Sequence, residues 1–188
     1  MGSTVRRKAR GKEKVEIGEL AGRCLAAFTR AGTLDLSLDR LAGRVGMSKR
    51  MLIHYFGSRD NLEEQVFALL EQRLRAQFSA HLFPSGATLQ STVMALWDQS
   101  TAPESRGALR VVMDATRRAW SGSARAKAFY GEQQRLWVDL LLGFLPDAAA
   151  VEELLQLFQG AVLLYLVTGD GEAGRRALGR MILREMAT

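Results

Sequence analysis

The stretch SLDRLAGRVGMSKRMLIHYF, residues 37–56, decides the fold, because it reads as two short helices joined by a tight turn. Leu38, Leu41, Ala42 and Val45 recur at i, i+3, i+4 and i+7, the spacing that gathers side chains on one helical face. Ser37 precedes that run as an N-cap, its hydroxyl able to accept from an orphan backbone N–H. Gly46 follows it and can take the left-handed conformation that ends a helix at no steric cost. Met47 is then an apolar plug for the angle, and Ser48 caps the next helix. That helix carries Leu52 and Phe56 on one side and Lys49, Arg50 and His54 elsewhere. Helix, glycine turn, cap and basic helix form a helix-turn-helix signature whose second helix suits a DNA groove.

The flanking residues extend the pattern. Phe28 and Gly32 fit an apolar helix ending in F-x-x-x-G, and Ser37, Leu41, Ala42, Gly46, Met47 and Ser48 fit T-x-x-x-I-A-x-x-A-G-V-S. Leu52, Tyr55, Phe56, Arg59 and Leu62 fit x-x-x-L-Y-x-[HY]-F-x-x-K-x-x-L. On these matches, gapless from about Leu20 to Leu62, the chain resembles the TetR family of bacterial transcriptional regulators. Ile53 stands where the family has a tyrosine, and Arg59 replaces a lysine, keeping the charge but changing its geometry. Beyond Leu62 the resemblance is architectural.

The resemblance implies an all-α fold. An N-terminal three-helix helix-turn-helix DNA-binding domain would be joined to a C-terminal helical effector-binding and dimerisation domain. The expected boundaries are a disordered basic arm over 1–12, the DNA-binding domain over 13–60, a linking helix over 61–83 and the second domain over 84–188. Lys49 and Arg50, opening the recognition helix, are expected at base edges, with guanine O6/N7 the preferred target of Arg. Met51 and His54 are further base-contact candidates. Ser37, Ser48, Tyr55 and Arg59 are expected at phosphates, fixing register without reading sequence; for Tyr55 a packed ring is the competing role. Arg59 opens the next helix, where a guanidinium and exposed N–H groups together suit a phosphate oxygen.

Charge agrees with that assignment. Residues 1–80 hold 15 Lys+Arg against 9 Asp+Glu, and residues 81–188 hold 11 of each, so the whole formal excess of +6 lies with the helix-turn-helix. A one-sided positive field is the footprint of a nucleic-acid binder, although basic tails also serve merely as solvated extensions. The arm with Arg6, Arg7, Lys8, Arg10, Lys12 and Lys14 fits either a groove-tracking strand or a flexible tail.

The 188 residues include 47% hydrophobic and 24% charged side chains, an ordinary globular balance, and only three prolines. With no period-two run, a mostly helical protein is expected. Ile17, Leu20, Ala21, Cys24, Leu25 and Phe28 mark a first helix over about Glu13–Ala31, with Cys24 as packing. A helix from Gly57–Asn61 to about Leu82 follows, then a break at Pro84-Ser85-Gly86. Later helices are expected over Thr88–Ser100, Pro103–Trp120, Ala124–Leu145, Ala148–Thr168 and Glu172–Met186. One cysteine excludes an internal disulfide and fits the reducing cytoplasm. The basic opening leads into no apolar signal core, and the longest apolar segment, Leu154–Val167, reads as too short to cross a bilayer. No membrane partner is therefore expected.

Two histidines and one cysteine cannot assemble a zinc site of the usual kind. No nucleophile elbow, phosphate-cradling loop or paired carboxylate recommends an enzyme or a cofactor. Met94, Trp97, Met113, Trp120, Tyr130 and Trp137 are bulky residues able to line a cavity, although side chains of this kind at helical spacing are more often plain core. The resemblance implies that such a cavity binds a small-molecule effector. Asp98, Arg110, Asp114 and Arg117 are candidates for a charge beside it.

The helix holding Phe158, Val162, Leu163 and Leu166 is apolar nearly all round, so it must be covered on both sides. Together with Leu178, Met181 and Ile182 it is expected to form the seam of a homodimer, as in the family; a monomer with these helices central is the alternative. The function expected is a ligand-responsive transcriptional regulator, a repressor that binds a palindromic double-stranded operator as a homodimer and is released by an effector. A helical ligand-binding or interaction protein that does not engage DNA is the rival.

Overall fold

A computed structural model describes residues 2–81 and 86–187, and the side chains of residues 2–16, 75 and 77–81 lie outside that description. The expected break at Pro84-Ser85 and the side chains of the basic arm thus fall outside the described residues. Those described contain nine α-helices, a single 3-10 turn and no strand, an all-α chain. It divides into two compact units, Met1–Arg73 and Leu74–Thr188. The division lies ahead of Pro84.

The first unit is built from α1 (Gly2–Ala31), α2 (Leu38–Val45), α3 (Lys49–Phe56) and the start of α4 (Arg59–His81). The backbone of α1 begins upstream of Glu13, through a segment of Arg, Lys and Glu without proline, all tolerated in a helix. Leu20, Ala21, Cys24, Leu25 and Phe28 are buried along α1, as are Leu41, Ala42 and Val45 of α2, Leu52 and Phe56 of α3, and Leu62 and Val66 of α4; α2 packs on both α1 and α3. Burial pushes the Cys24 thiol up to about 11, against a smaller opposing effect of Arg23, so it stays protonated at neutral pH and packs as a small apolar group.

Local chemistry fixes the α2–α3 angle. Ser37 and Ser48 hydroxyls accept from the Arg40 and Met51 N–H groups, each at 3.2 Å. Such caps stabilise a helix by about 1 kcal/mol. Gly46 sits at φ 71°, and the Met47 N–H reaches back to the Ala42 carbonyl at 3.0 Å while the Gly46 N–H reaches Gly43 at 3.3 Å. That double closure is a Schellman ending, which requires the left-handed residue glycine supplies.

The second unit contains α5 (Leu89–Thr101), the 3-10 turn Pro103–Ser105, α6 (Arg106–Trp120), α7 (Ala124–Leu142), α8 (Ala148–Thr168) and α9 (Gly171–Met186). The helix expected from Pro103 therefore opens as a 3-10 turn, and α7 stops at Leu142, ahead of Pro146. Helix α8 packs on α9 and α7, α5 on α9, and α6 on α7. At the centre lies Trp97, 1% exposed, its indole N–H donating to the Gly171 carbonyl at 3.0 Å. Phe158 and Tyr165 meet its ring edge-on, at centroid distances of 5.7 and 6.4 Å. Gly174 of α9 makes room for it, since a β-carbon there would overlap the indole Cη2 and Cζ2. Helix α8, at 21 residues, is long and apolar enough by length and composition to cross a membrane. That exceeds the expectation for Leu154–Val167 alone. Yet its Val151, Leu154, Leu155, Ala161, Val162 and Tyr165 are buried in the unit's core.

Candidate nucleic-acid interface and ligand cavity

In the first unit, Leu52 and Phe56 anchor α3 from below, and Arg50 and His54, one turn apart on the opposite side, are exposed. Met51 is 41% exposed beside them, an unusual outlay for a methionine. Lys49 is exposed but pairs with Asp39 of α2 at 3.2 Å. An ion pair this open to water contributes at most about 1 kcal/mol, so a phosphate or base can take the ammonium at little cost. Arg40 and Arg44, one turn apart on α2, are exposed as well. Sequence reasoning passed over both, though their i, i+4 spacing beside the turn was the available signal.

The residues expected at phosphates divide. Ser37 and Ser48 are exposed but their oxygens already accept cap hydrogen bonds. Each O–H proton remains able to donate outward. Tyr55 is half-buried with its ring edge-on to His54 at 5.7 Å. Arg59 faces inward. Its Nη1 and Nη2 donate to the carbonyls of Leu36 at 2.7 Å and Leu34 at 3.0 Å, and its Nε to Glu63 Oε1 at 2.9 Å. A guanidinium so engaged ties the α1–α2 loop to α4 instead of presenting a fork to solvent. Arg23 acts in the same way, donating to the Val45 carbonyl at the end of α2. The positive balance of this unit thus includes two internal braces, a distinction that charge counting cannot make.

The second unit holds a half-open cavity of about 450 Å³ lined by α5, α6, α7 and α8 and by Leu74 of α4. Met113, Tyr130 and Trp137 line it as expected. Trp97 belongs to the core instead, Met94 packs partly buried against that core, and Trp120 is 79% exposed at the end of α6. Further walls include Leu109, Val112, Phe129, Leu141 and Phe158, and Gln133, Gln134, Gln156 and Gln159 supply polar groups beside Ser100 and Thr116. A search for bulky side chains could not find the glutamines. None of the described residues lining it carries a charge. Asp98 pairs with Arg175 and Asp114 with Arg117, and neither pair, nor Arg110, belongs to the lining.

The seam residues also divide. Val162, Leu178, Met181 and Ile182 are buried in the unit's own core, and Phe158 and Leu166 pack partly buried against it. Val162, Leu178, Met181 and Ile182 thus turn inward, while Phe158 and Leu166 keep part of their surface open. Leu163 is 54% exposed, and with Leu164, Val167, Leu183 and Met186 it makes up the large apolar side chains left open on α8 and α9. Comparison with family models and with curated proteins finds no match to either.

Proposed function

We propose that this chain is a cytoplasmic, ligand-responsive transcriptional regulator of the kind the TetR resemblance implies. It would bind a palindromic duplex operator as a homodimer and repress until an effector releases it. The observation that carries the reading is α3 itself. It is capped at its start, anchored by Leu52 and Phe56, and leaves Arg50, Met51 and His54 on the solvent side. A helix held on one side and polar or cationic on the other is what a major groove admits. Arg50 and Lys49 are assigned to base edges, with Met51 and His54 beside them. Ser37, Ser48, Tyr55, Arg40 and Arg44 are assigned to phosphates. Arg59 acts as a brace that holds this surface in shape.

Arg50→Ala is expected to weaken operator binding by about 1–3 kcal/mol and to relax preference at one base pair. Selection of sites from random duplexes, with wild type and variant side by side, checks this; an unchanged site preference removes Arg50 from base readout. The exposed apolar side chains of α8 and α9 support self-association, because a second copy related by two-fold symmetry would cover the same residues on both chains. Leu163→Arg is expected to convert dimer to monomer in sedimentation, and a persisting dimer would move the seam elsewhere. A helical ligand-binding protein that does not engage DNA would use the 450 Å³ cavity equally well. Salt-sensitive binding to duplex DNA separates the two.

A further inference from the structure

We propose that molecules enter and leave the cavity of the second unit between α7 and α8, and that a hydrogen-bonded latch from Tyr130 to Gln159, strung across that opening, must break for them to pass. The inference rests on the cavity being a ligand site, as in the reading above, and on no contact with DNA.

The exposed part of the lining places the doorway. Among the described lining residues only Tyr130 of α7 and Gln156, Gly160 and Leu163 of α8 are exposed. These two helices pack on each other, so the cavity meets solvent along their seam. A second hollow, of about 270 Å³, shares Tyr130, Gln134, Leu155, Gln156 and Gln159 with the cavity and adds Val138 and the exposed Glu152. The shared side chains therefore stand between an apolar interior and an outer vestibule. Gly160 leaves room beside Gln159, since a β-carbon there would meet nothing within 4 Å.

The latch is built from two unequal bonds. The Tyr130 hydroxyl reaches from α7 to α8, donating to Gln159 Oε1 at 3.3 Å, and accepts from Gln134 Nε2 at 2.7 Å. The shorter bond joins residues one turn apart on α7 and fixes the phenol. The longer one, at the outer edge of hydrogen-bond distance, is the part that yields. Tyr130 is 36% exposed, so water takes over the released partners and opening leaves no polar group unmet. The same bond closes again behind a ligand. It is thus a barrier in both directions, setting rates of exchange and adding little to affinity.

The test uses the full chain without DNA and N-phenyl-1-naphthylamine, a neutral aromatic that brightens in apolar surroundings, mixed by stopped flow. Tyr130→Phe and Gln159→Met are each expected to speed association and dissociation by about three- to tenfold, with the equilibrium affinity nearly unchanged. The double variant should be no faster than the faster single one, because both changes remove the same bond. A merely structural role would lower affinity or melting temperature and not move both rates together. Met113→Trp, which fills the space, should abolish the signal; a signal that survives it places the probe outside the cavity and overturns the proposal. Rates equal to wild type, additive effects in the double variant, or no binding of the probe would each overturn it too. Should one variant fail to fold, the other single change decides. A chain that ignores every duplex yet shows these rates loses the regulator and keeps the doorway. Salt-sensitive DNA binding with unaltered rates does the reverse.

Discussion

Trp97→Ala is expected to cost the second unit about 3–5 kcal/mol of unfolding free energy, as large-to-small changes of a buried aromatic do. The indole is 1% exposed and joins α5 to α9 through the Gly171 carbonyl. It also fills the space that Gly174 leaves and meets Phe158 and Tyr165 edge-on. Truncation opens a void among three helices and leaves a carbonyl without its donor. Gly174→Ala probes the same joint from the other side, because its new methyl would overlap the indole ring carbons. Its expected cost is about 1–3 kcal/mol, the range for forcing extra volume into a packed core. Denaturant unfolding followed by far-ultraviolet circular dichroism measures both. A loss below about 1 kcal/mol for Trp97→Ala would mean that the helices are held elsewhere.

Arg59→Ala is expected to destabilise the first unit by roughly 3 kcal/mol, since hydrogen bonds to charged groups contribute about 1.5–3 kcal/mol each. Two such bonds reach the carbonyls of Leu34 and Leu36, residues whose side chains are buried. Arg59→Lys keeps the charge but not the planar fork that reaches both carbonyls, so it should recover only part of the loss. Thermal melts of the three proteins without DNA decide the role. A phosphate clamp predicts something else: unchanged melting, weaker binding to every duplex and a flatter salt dependence. Should the melts coincide while DNA binding falls uniformly, the inward geometry of Arg59 is not what the residue is for.

Arg50 and Arg59 show where one-dimensional reasoning stops. Both are arginines at the start of a helix in a basic segment, and both were assigned to DNA from position. Helix periodicity puts Arg50 opposite Leu52 and Phe56, and its exposure follows from that alone. The partners of Arg59 are carbonyls in the loop before α2, far back in the chain, and no local pattern announces them. The glutamines make the same point in the second unit. Gln156 and Gln159 interrupt the apolar run of α8, and nothing in that local pattern says that they line a cavity with Gln133 and Gln134 of α7. The all-round apolarity of α8 was legible, but not which part of it turns inward.

By itself the sequence determined the helical class, most helix boundaries apart from the starts of α1 and α6 and the end of α7, the two serine caps and the left-handed glycine between α2 and α3. Each of these is set by residues within a few positions of one another, where hydrogen bonds and backbone sterics act at short range. The tertiary structure alone decided which cations brace and which stay open, which of three tryptophans is core, wall or surface, and which leucines remain uncovered. Those outcomes depend on what distant segments bring to the same place, because burial and the pairing of polar groups are properties of the packed chain.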